Sequence, residues 1–225
     1  MKGGLQIYEK LLQFSLFQGM SRDDLELVTG HTRFGFIKVP QGKTVVKEGT
    51  ACTHVYLLIS GTIRIINGSD DHSYTVEEEM QAPFVLQPEA IYGYSQRYTQ
   101  TFVAQTDASF ITIDKDEVGR LSEDFLVFRL NLLNIYATQA QKMQRQPWRQ
   151  CPKTLRERII RFLVLHCSYP AGPKKFHILM NQLAEELNES RLNISRELNS
   201  MQYDKLLILH RGRIEIPSLE RLLMA

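Results

Sequence analysis

Cysteine is scarce in this chain: three residues in 225, at Cys52, Cys151 and Cys167. They are too few and too far apart for a disulfide framework or a zinc site, and this usage fits a reducing cytoplasm, the expected location. Long apolar runs are missing too. No stretch approaches the roughly 20 residues of a membrane span, so no membrane partner is expected. The start, MKGGLQIYEKLLQF, lacks the continuous apolar segment and small-residue cleavage site of a secretory signal. The signatures of common enzyme sites are also lacking. There is no Gly-rich phosphate loop, no Gly-x-Ser-x-Gly elbow, no His-Glu-x-x-His helix and no His-x-His pair. What the chain does have is a 43% hydrophobic fraction, ordinary for a globular protein and enough for one large domain or two smaller ones.

The formal net charge of +2 conceals a lopsided distribution. Residues 1–141 carry 12 Lys/Arg against 17 Asp/Glu, and residues 142–225 carry 15 against 8. A basic C-terminal third beside an acidic remainder is the layout expected when one domain meets a polyanion. Hydrophobic periodicity divides the chain similarly. Residues 1–30 read as short helices, with Ser21 as a cap. From Thr32 to Asp114 come short β-branched or aromatic runs: FGFIKV, TVVKEG, HVYLLISG, TIRII, YTVEE, TFVAQ and SFITID. Turns fall at Pro40–Gly42, Asn67–Asp71 and Gln105–Ala108. That spacing favours a compact barrel or sandwich.

After Asp114 the period becomes helical. Leu126, Leu130, Leu133, Ala137 and Ala140 form an a/d seam, and Phe125, Phe128, Leu132 and Ile135 form a second stripe. One stripe suffices to dock the helix on the barrel; two allow it to meet a second copy as well. Pro147 is expected to end or bend the helix.

The segment LMNQLAEELNESRLNISREL, Leu179–Leu198, predicts a helix pair. Leu179, Leu183, Ala184 and Leu187 make one stripe, Asn188 occupies the sharp turn, and Ser190 caps a second helix with Ile194, Leu198 and Met201 inside. Arg191, Leu192, Ser195, Arg196 and Asn199 are left outside. Arginines so placed can donate in pairs to guanine edges in a major groove, although a plain surface hairpin with solvated arginines has the same pattern. Beyond it, DKLLILHRGRIEIPSLERLL predicts two short strands around Arg211–Gly212–Arg213 and a terminal helix. Together these make a winged helix whose wing can meet phosphate.

The whole arrangement resembles the cyclic-AMP receptor protein/fumarate-nitrate reductase regulator (Crp/Fnr) family of bacterial transcription factors. The matching pieces are VPQGKTVVKEG and HVYLLISGTIRI, with Gly42, Gly49 and Gly61 at turns, then QLAEELNESRLNISREL and RGRIEI. The resemblance implies an α+β fold with three parts. Residues 1–114 would be an N-terminal double-stranded β-helix, a jelly-roll like a cyclic-nucleotide-binding β-roll. Residues 115–146 would be a long dimerisation helix, and 147–225 a C-terminal winged helix-turn-helix. It also implies a non-enzymatic homodimer on a palindromic double-stranded DNA operator, controlled by an effector in the β-roll, with RNA polymerase the further partner of an activator.

By position, Arg191 and Arg196 match the family's base-reading arginines, and Asn193 and Ser195 sit among its base or phosphate contacts. Ser190, Arg211 and Arg213 complete the expected DNA-binding set. Where the family usually has a glutamate between the arginines, this chain has Leu192, which cannot accept a hydrogen bond but can touch a thymine methyl. The family's usual half-site is therefore not carried over.

The nucleotide-binding glutamate falls at or near Gln87, and the phosphate-binding Arg-Ser pair at Tyr98–Thr99. A cyclic phosphate would lack its guanidinium there, which argues against cyclic AMP unless Arg97 and Glu89 substitute. An iron–sulfur cluster lacks its four cysteines. Haem would need an axial ligand such as Cys52, His54 or His72, and the sequence leaves the sensing roles of these three open. The competing readings are a cupin-like metal enzyme and a ligand-binding signalling module without DNA binding. The first needs two or three histidines converging with a carboxylate, and only His54 and His72 follow His31 in the barrel region.

Overall fold

A computed structural model of the chain describes residues 2–145 and 151–224. In chain order the elements are α1 (Lys2–Leu11), α2 (Arg22–His31), β1 (Phe34–Val39), β2 (Thr44–Val46), β3 (His54–Ser60), β4 (Thr62–Gly68), β5 (Thr75–Gln81) and β6 (Phe84–Leu86). A 3-10 turn follows at Pro88–Ile91. Then come β7 (Thr101–Ala104), β8 (Ala108–Asp114), α3 (Lys115–Asp124), α4 (Leu126–Arg145), α5 (Leu155–Leu165), β9 (Lys174–His177), α6 (Met180–Glu186), α7 (Arg191–Tyr203), β10 (Ile208–His210), β11 (Arg213–Ile216) and α8 (Leu219–Leu223). The architecture is α+β, with a strand-rich N-terminal part, a long helix and a C-terminal helix-turn-helix with a wing. Strands β6 and β9 lie outside the predicted runs; each has only three or four residues, too short for alternation to show. Pro147 lies outside the described residues.

The chain forms two compact units. The first comprises Met1–Ile63, Gln81–Thr99 and Ala104–Arg149, the second Arg64–Met80, Gln100–Val103 and Gln150–Ala225. In the first, an antiparallel sheet runs β1-β8-β3-β6. Alternation along β3 sends Val55 and Leu57 into the core, while β8 is buried on both faces, with Phe110 on one and Ile113 on the other. Gly61 is required where it stands. Its φ is +95° and a Cβ would lie 2.5 Å from the Asp107 carbonyl oxygen, so no L side chain fits without backbone movement.

The expected single helix over 115–146 is divided. Phe125 is extended, with φ −122° and ψ 103°, and ends α3 through its N–H to the Leu121 carbonyl. A new helix then starts at Leu126. The two stripes separate as their spacing requires. Phe128 and Leu132 are buried, with Phe128 5.3 Å from the Phe17 ring, whereas Leu126, Leu130 and Leu133 are each more than half exposed. Ala137 and Ala140 are exposed on the same helix. Burying a ring such as Phe128 contributes about 1.5–3 kcal/mol. The Asn131 amide adds hydrogen bonds to the Leu16 and Gln18 carbonyls at 3.1 and 2.8 Å.

In the second unit one sheet runs β10-β11-β9-β5-β4-β7. Helix α5 begins with a capping box in which Thr154 and Glu157 satisfy each other's backbone N–H. It packs Ile159, Phe162 and Leu163 against Phe176, Ile194, Leu198, Met201 and Leu219, a core contributed by every helix of the unit and by the sheet. Among the described residues no helix is long and apolar enough to cross a membrane.

Candidate nucleic-acid interface

The turn between α6 and α7 is built as its sequence demands. Asn188 has φ +46°, a conformation Asn tolerates, and the Ser190 hydroxyl accepts from the Asn193 N–H at 3.2 Å. Ile194, Leu198 and Met201 are wholly buried. Helical geometry therefore turns Arg191, Leu192, Ser195, Arg196 and Asn199 outward within an arc of roughly 140°. Neither Arg191 nor Arg196 has a side-chain partner among the described residues, and both are exposed.

Other polar groups nearby are already engaged. Asn193 donates to the Glu189 carboxylate at 2.9 Å, and Asn199 to the Ser195 carbonyl at 2.7 Å. Glu189 accepts from Arg158 at 2.7 Å, from its own chain at Ser190 N–H and from Asn193. These donors hold its carboxyl down at about 2 and pin the turn to α5. Arg156 on α5 is likewise tied to Glu197 and Asp204. Arg156 and Arg158 of α5 thus brace the helix pair, whereas Arg191 and Arg196 of α7 face solvent.

The wing completes the surface. Gly212, with φ +71°, closes the two-residue turn of the β10–β11 hairpin. Arg211 is exposed and has no side-chain partner among the described residues. Arg213 differs, because its Nε lies 3.0 Å from Glu215 without hydrogen-bond alignment, so its charge is partly compensated. Between wing and helix pair lies a cleft of about 360 Å³, lined by Arg191, Arg211, Arg213 and His210 together with Leu179 and Asn181. The structure therefore brings Arg191, Arg211 and Arg213 to one cleft. His210 and Leu179, 64% exposed, belong to the same surface but were not among the predicted contacts. The position of His210, next to the Arg-Gly-Arg tip, was the available signal.

In the first unit, Gln87 and Thr99 do come together. The Gln87 amide donates to the Thr99 hydroxyl at 2.7 Å and accepts from the Thr99 N–H at 3.0 Å. Tyr98, expected beside them, faces the opposite way: it is 2% exposed and its hydroxyl donates to the His54 carbonyl at 2.6 Å. The chain bends at Thr99, so the two neighbouring side chains part. Arg97 spends its guanidinium on the Gly49 carbonyl at 2.7 Å, and the half-buried Glu89 carboxyl is pushed up by burial. Among the described residues neither makes a hydrogen bond to Gln87 or Thr99. Burial raises the Cys52 thiol, and its hydrogen bond with Tyr98 offsets part of that rise. Among the described residues no group of three or more His, Cys, Asp or Glu side chains is placed to hold a metal ion.

A family model for the cyclic nucleotide-binding domain matches residues 36–125, and one for the Crp-like helix-turn-helix domain matches residues 157–225. The chain belongs to the Crp/Fnr family of transcription regulators. Solved structures share its fold. The Thermus thermophilus catabolite activator protein matches at 19% identity and TM-score 0.52, covering 94% of this chain and 97% of that one. A putative Crp/Fnr-family transcriptional regulator from Eubacterium rectale gives 21% and 0.52 over the same shares. The sensor domain of the transcriptional regulator DNR from Pseudomonas aeruginosa gives 18% and 0.55, covering 69% of this chain and 99% of that one. Among curated proteins no relative matches.

Proposed function

We propose that this Crp/Fnr-family chain is a cytoplasmic homodimer that binds a palindromic operator in double-stranded DNA and is controlled through its N-terminal unit by an effector other than cyclic AMP. The observation that carries the reading is the pair of unpartnered arginines, Arg191 and Arg196, on the exposed face of a helix whose other face is buried core. Unpaired guanidiniums on a groove-sized helix suit bidentate donation to guanine O6 and N7. Arg211 at the wing tip supplies a phosphate contact.

Leu192, 58% exposed between the arginines, offers only apolar contact, which in a major groove means a thymine methyl. The exposed seam of Leu126, Leu130 and Leu133 with Ala137 and Ala140 is the surface that a second copy covers. Two-fold pairing would place recognition helices about one DNA turn, roughly 34 Å, apart. At the effector position, Gln87 and Thr99 present an amide and a hydroxyl. That set suits a neutral polar ligand better than a cyclic phosphate. Selection of bound fragments from genomic DNA, followed by binding of the chosen duplex over a salt series, tests the reading. Palindromic sites and affinity falling steeply with salt support it; indifference to every duplex rejects it.

A further inference from the structure

The strand β5 carries three consecutive glutamates, Glu77, Glu78 and Glu79, and β9 carries Lys174, Lys175 and His177. Their antiparallel register sets Glu78 opposite Lys174 and Glu77 opposite Lys175. Two charged strand edges that would repel copies of themselves thus match each other. The seam is tightly made. Glu78 and Lys174 are 0% and 1% exposed, with Nζ 2.7 Å from Oε1. The Glu78 carboxylate also accepts from the Ser168 and Tyr169 N–H groups at 2.8 and 3.2 Å and from Asn67 at 3.4 Å. Tyr74, at the start of the same segment, pairs its hydroxyl with His166 at 2.9 Å and lies against Phe162.

The register also fixes where the hairpin's turn goes. Ile214, Phe176 and Val76 form one row across β11, β9 and β5. From that row β11 leads back to the wing tip at Arg211–Gly212, and β5 leads back to the turn Ser69–Ser73. Both tips therefore leave the same end of the sheet, centred three strand spacings or about 14 Å apart. The hairpin turn exposes Asp70 and Asp71. Asp71 accepts from the Ser69 hydroxyl at 2.6 Å and from the Ser73 hydroxyl and N–H at 2.7 and 3.1 Å, which hold it in place.

We propose that the β4–β5 hairpin is a built-in acidic rival of DNA: docked on β9, it holds Asp70 and Asp71 at the same end of the sheet as the wing tip and weakens the hold of the second unit on duplex phosphates. The inference rests on the DNA-binding reading above. At roughly 0.05 M salt the screening length is about 14 Å, so two carboxylates at that separation from the wing tip raise the local potential energy of any phosphate that approaches it.

The test is equilibrium binding of the full chain to a short duplex of mixed sequence, followed by fluorescence anisotropy between roughly 0.05 and 0.2 M salt. Asp70→Asn/Asp71→Asn is expected to tighten binding about 3- to 10-fold at the low end, with the gain shrinking as salt rises. Asp70→Asn alone, which disturbs no hydrogen bond among the described residues, should give a smaller gain of the same sign. Asp23→Asn/Glu123→Gln removes the same net charge from the first unit and should change affinity less than about 2-fold. Equal tightening by both double variants, or none from the hairpin variants, overturns the proposal while leaving DNA binding intact. Failure of the unaltered chain and all variants to bind any duplex would take down the underlying reading instead.

Discussion

The exposed face of α7 and the Gln87–Thr99 position treat polar side chains in opposite ways. On α7 two guanidiniums stand without side-chain partners among the described residues, although Glu189, Glu197 and Asp204 are close enough in the fold to hold Arg156 and Arg158 of α5. At Gln87–Thr99 the amide and hydroxyl satisfy each other. A site that leaves its donors open is ready for an external acceptor. One that closes on itself must exchange its own hydrogen bonds for a ligand's, each worth only about 0.5–1.5 kcal/mol net. The difference separates a surface whose partner follows from its chemistry from one whose partner does not.

The sharpest way to break this comparison is to ask whether cations of the second unit divide into structural and functional sets. Lys174→Ala leaves Glu78 buried without its ammonium and should lower unfolding free energy by about 3 kcal/mol or more in denaturant titration. Arg196→Ala, at an exposed site, should stay within about 0.5 kcal/mol of the parent. Comparable losses from both would erase the distinction. In operator binding the order reverses: Arg196→Ala should cost about 1–3 kcal/mol and flatten discrimination among sites. Arg211→Ala should reduce the salt slope by about 1, and Arg213→Ala by less, because Glu215 already offsets that charge.

Leu192 gives a finer test. Replacing the contacted thymine by uracil removes one methyl and should cost about 0.8 kcal/mol with the parent chain and nothing with Leu192→Ala.

A smaller effect lies in pH. Glu189 is depressed to about 2 in the folded chain, so its stabilising contribution is complete above the unfolded carboxyl's ordinary value of about 4.3. It is lost as pH falls through that value toward 2. Thermal melts across this range should show a loss that Glu189→Gln removes. At Gln87 and Thr99 the expected change is zero: cyclic AMP should leave the melting temperature where it was, and an upward shift would contradict the reading of these two residues.

Much of the second unit was legible from residues alone because each signal is local. Asn188 announces the turn, Ser190 the cap, and the stripe of Ile194, Leu198 and Met201 the buried side. The separation of Phe128 and Leu132 from Leu126, Leu130 and Leu133 was readable for the same reason. The break at Phe125 was not, since a single extended residue interrupts no stripe. Nor was the orientation of Tyr98: alignment places it beside Thr99, but only the folded chain decides which of two neighbours faces outward. The pairing of β5 with β9 joins segments almost a hundred residues apart. Its clue, EEE opposite KK, becomes meaningful only once the register is known. The partial neutralisation of Arg213 by Glu215 escapes for a subtler reason, because i and i+2 on a strand share a face that a motif search ignores.

The central claim is that the open guanidiniums of α7 read a duplex as a symmetric pair. It is tested most directly by titrating the chain into its genome-selected duplex over a salt series while measuring stoichiometry by sedimentation. The account predicts two chains per palindromic duplex, with log affinity falling linearly against log salt and a steep loss of sequence preference in Arg196→Ala. A single chain per duplex, or a preference for the selected site that survives Arg196→Ala unchanged, would contradict it.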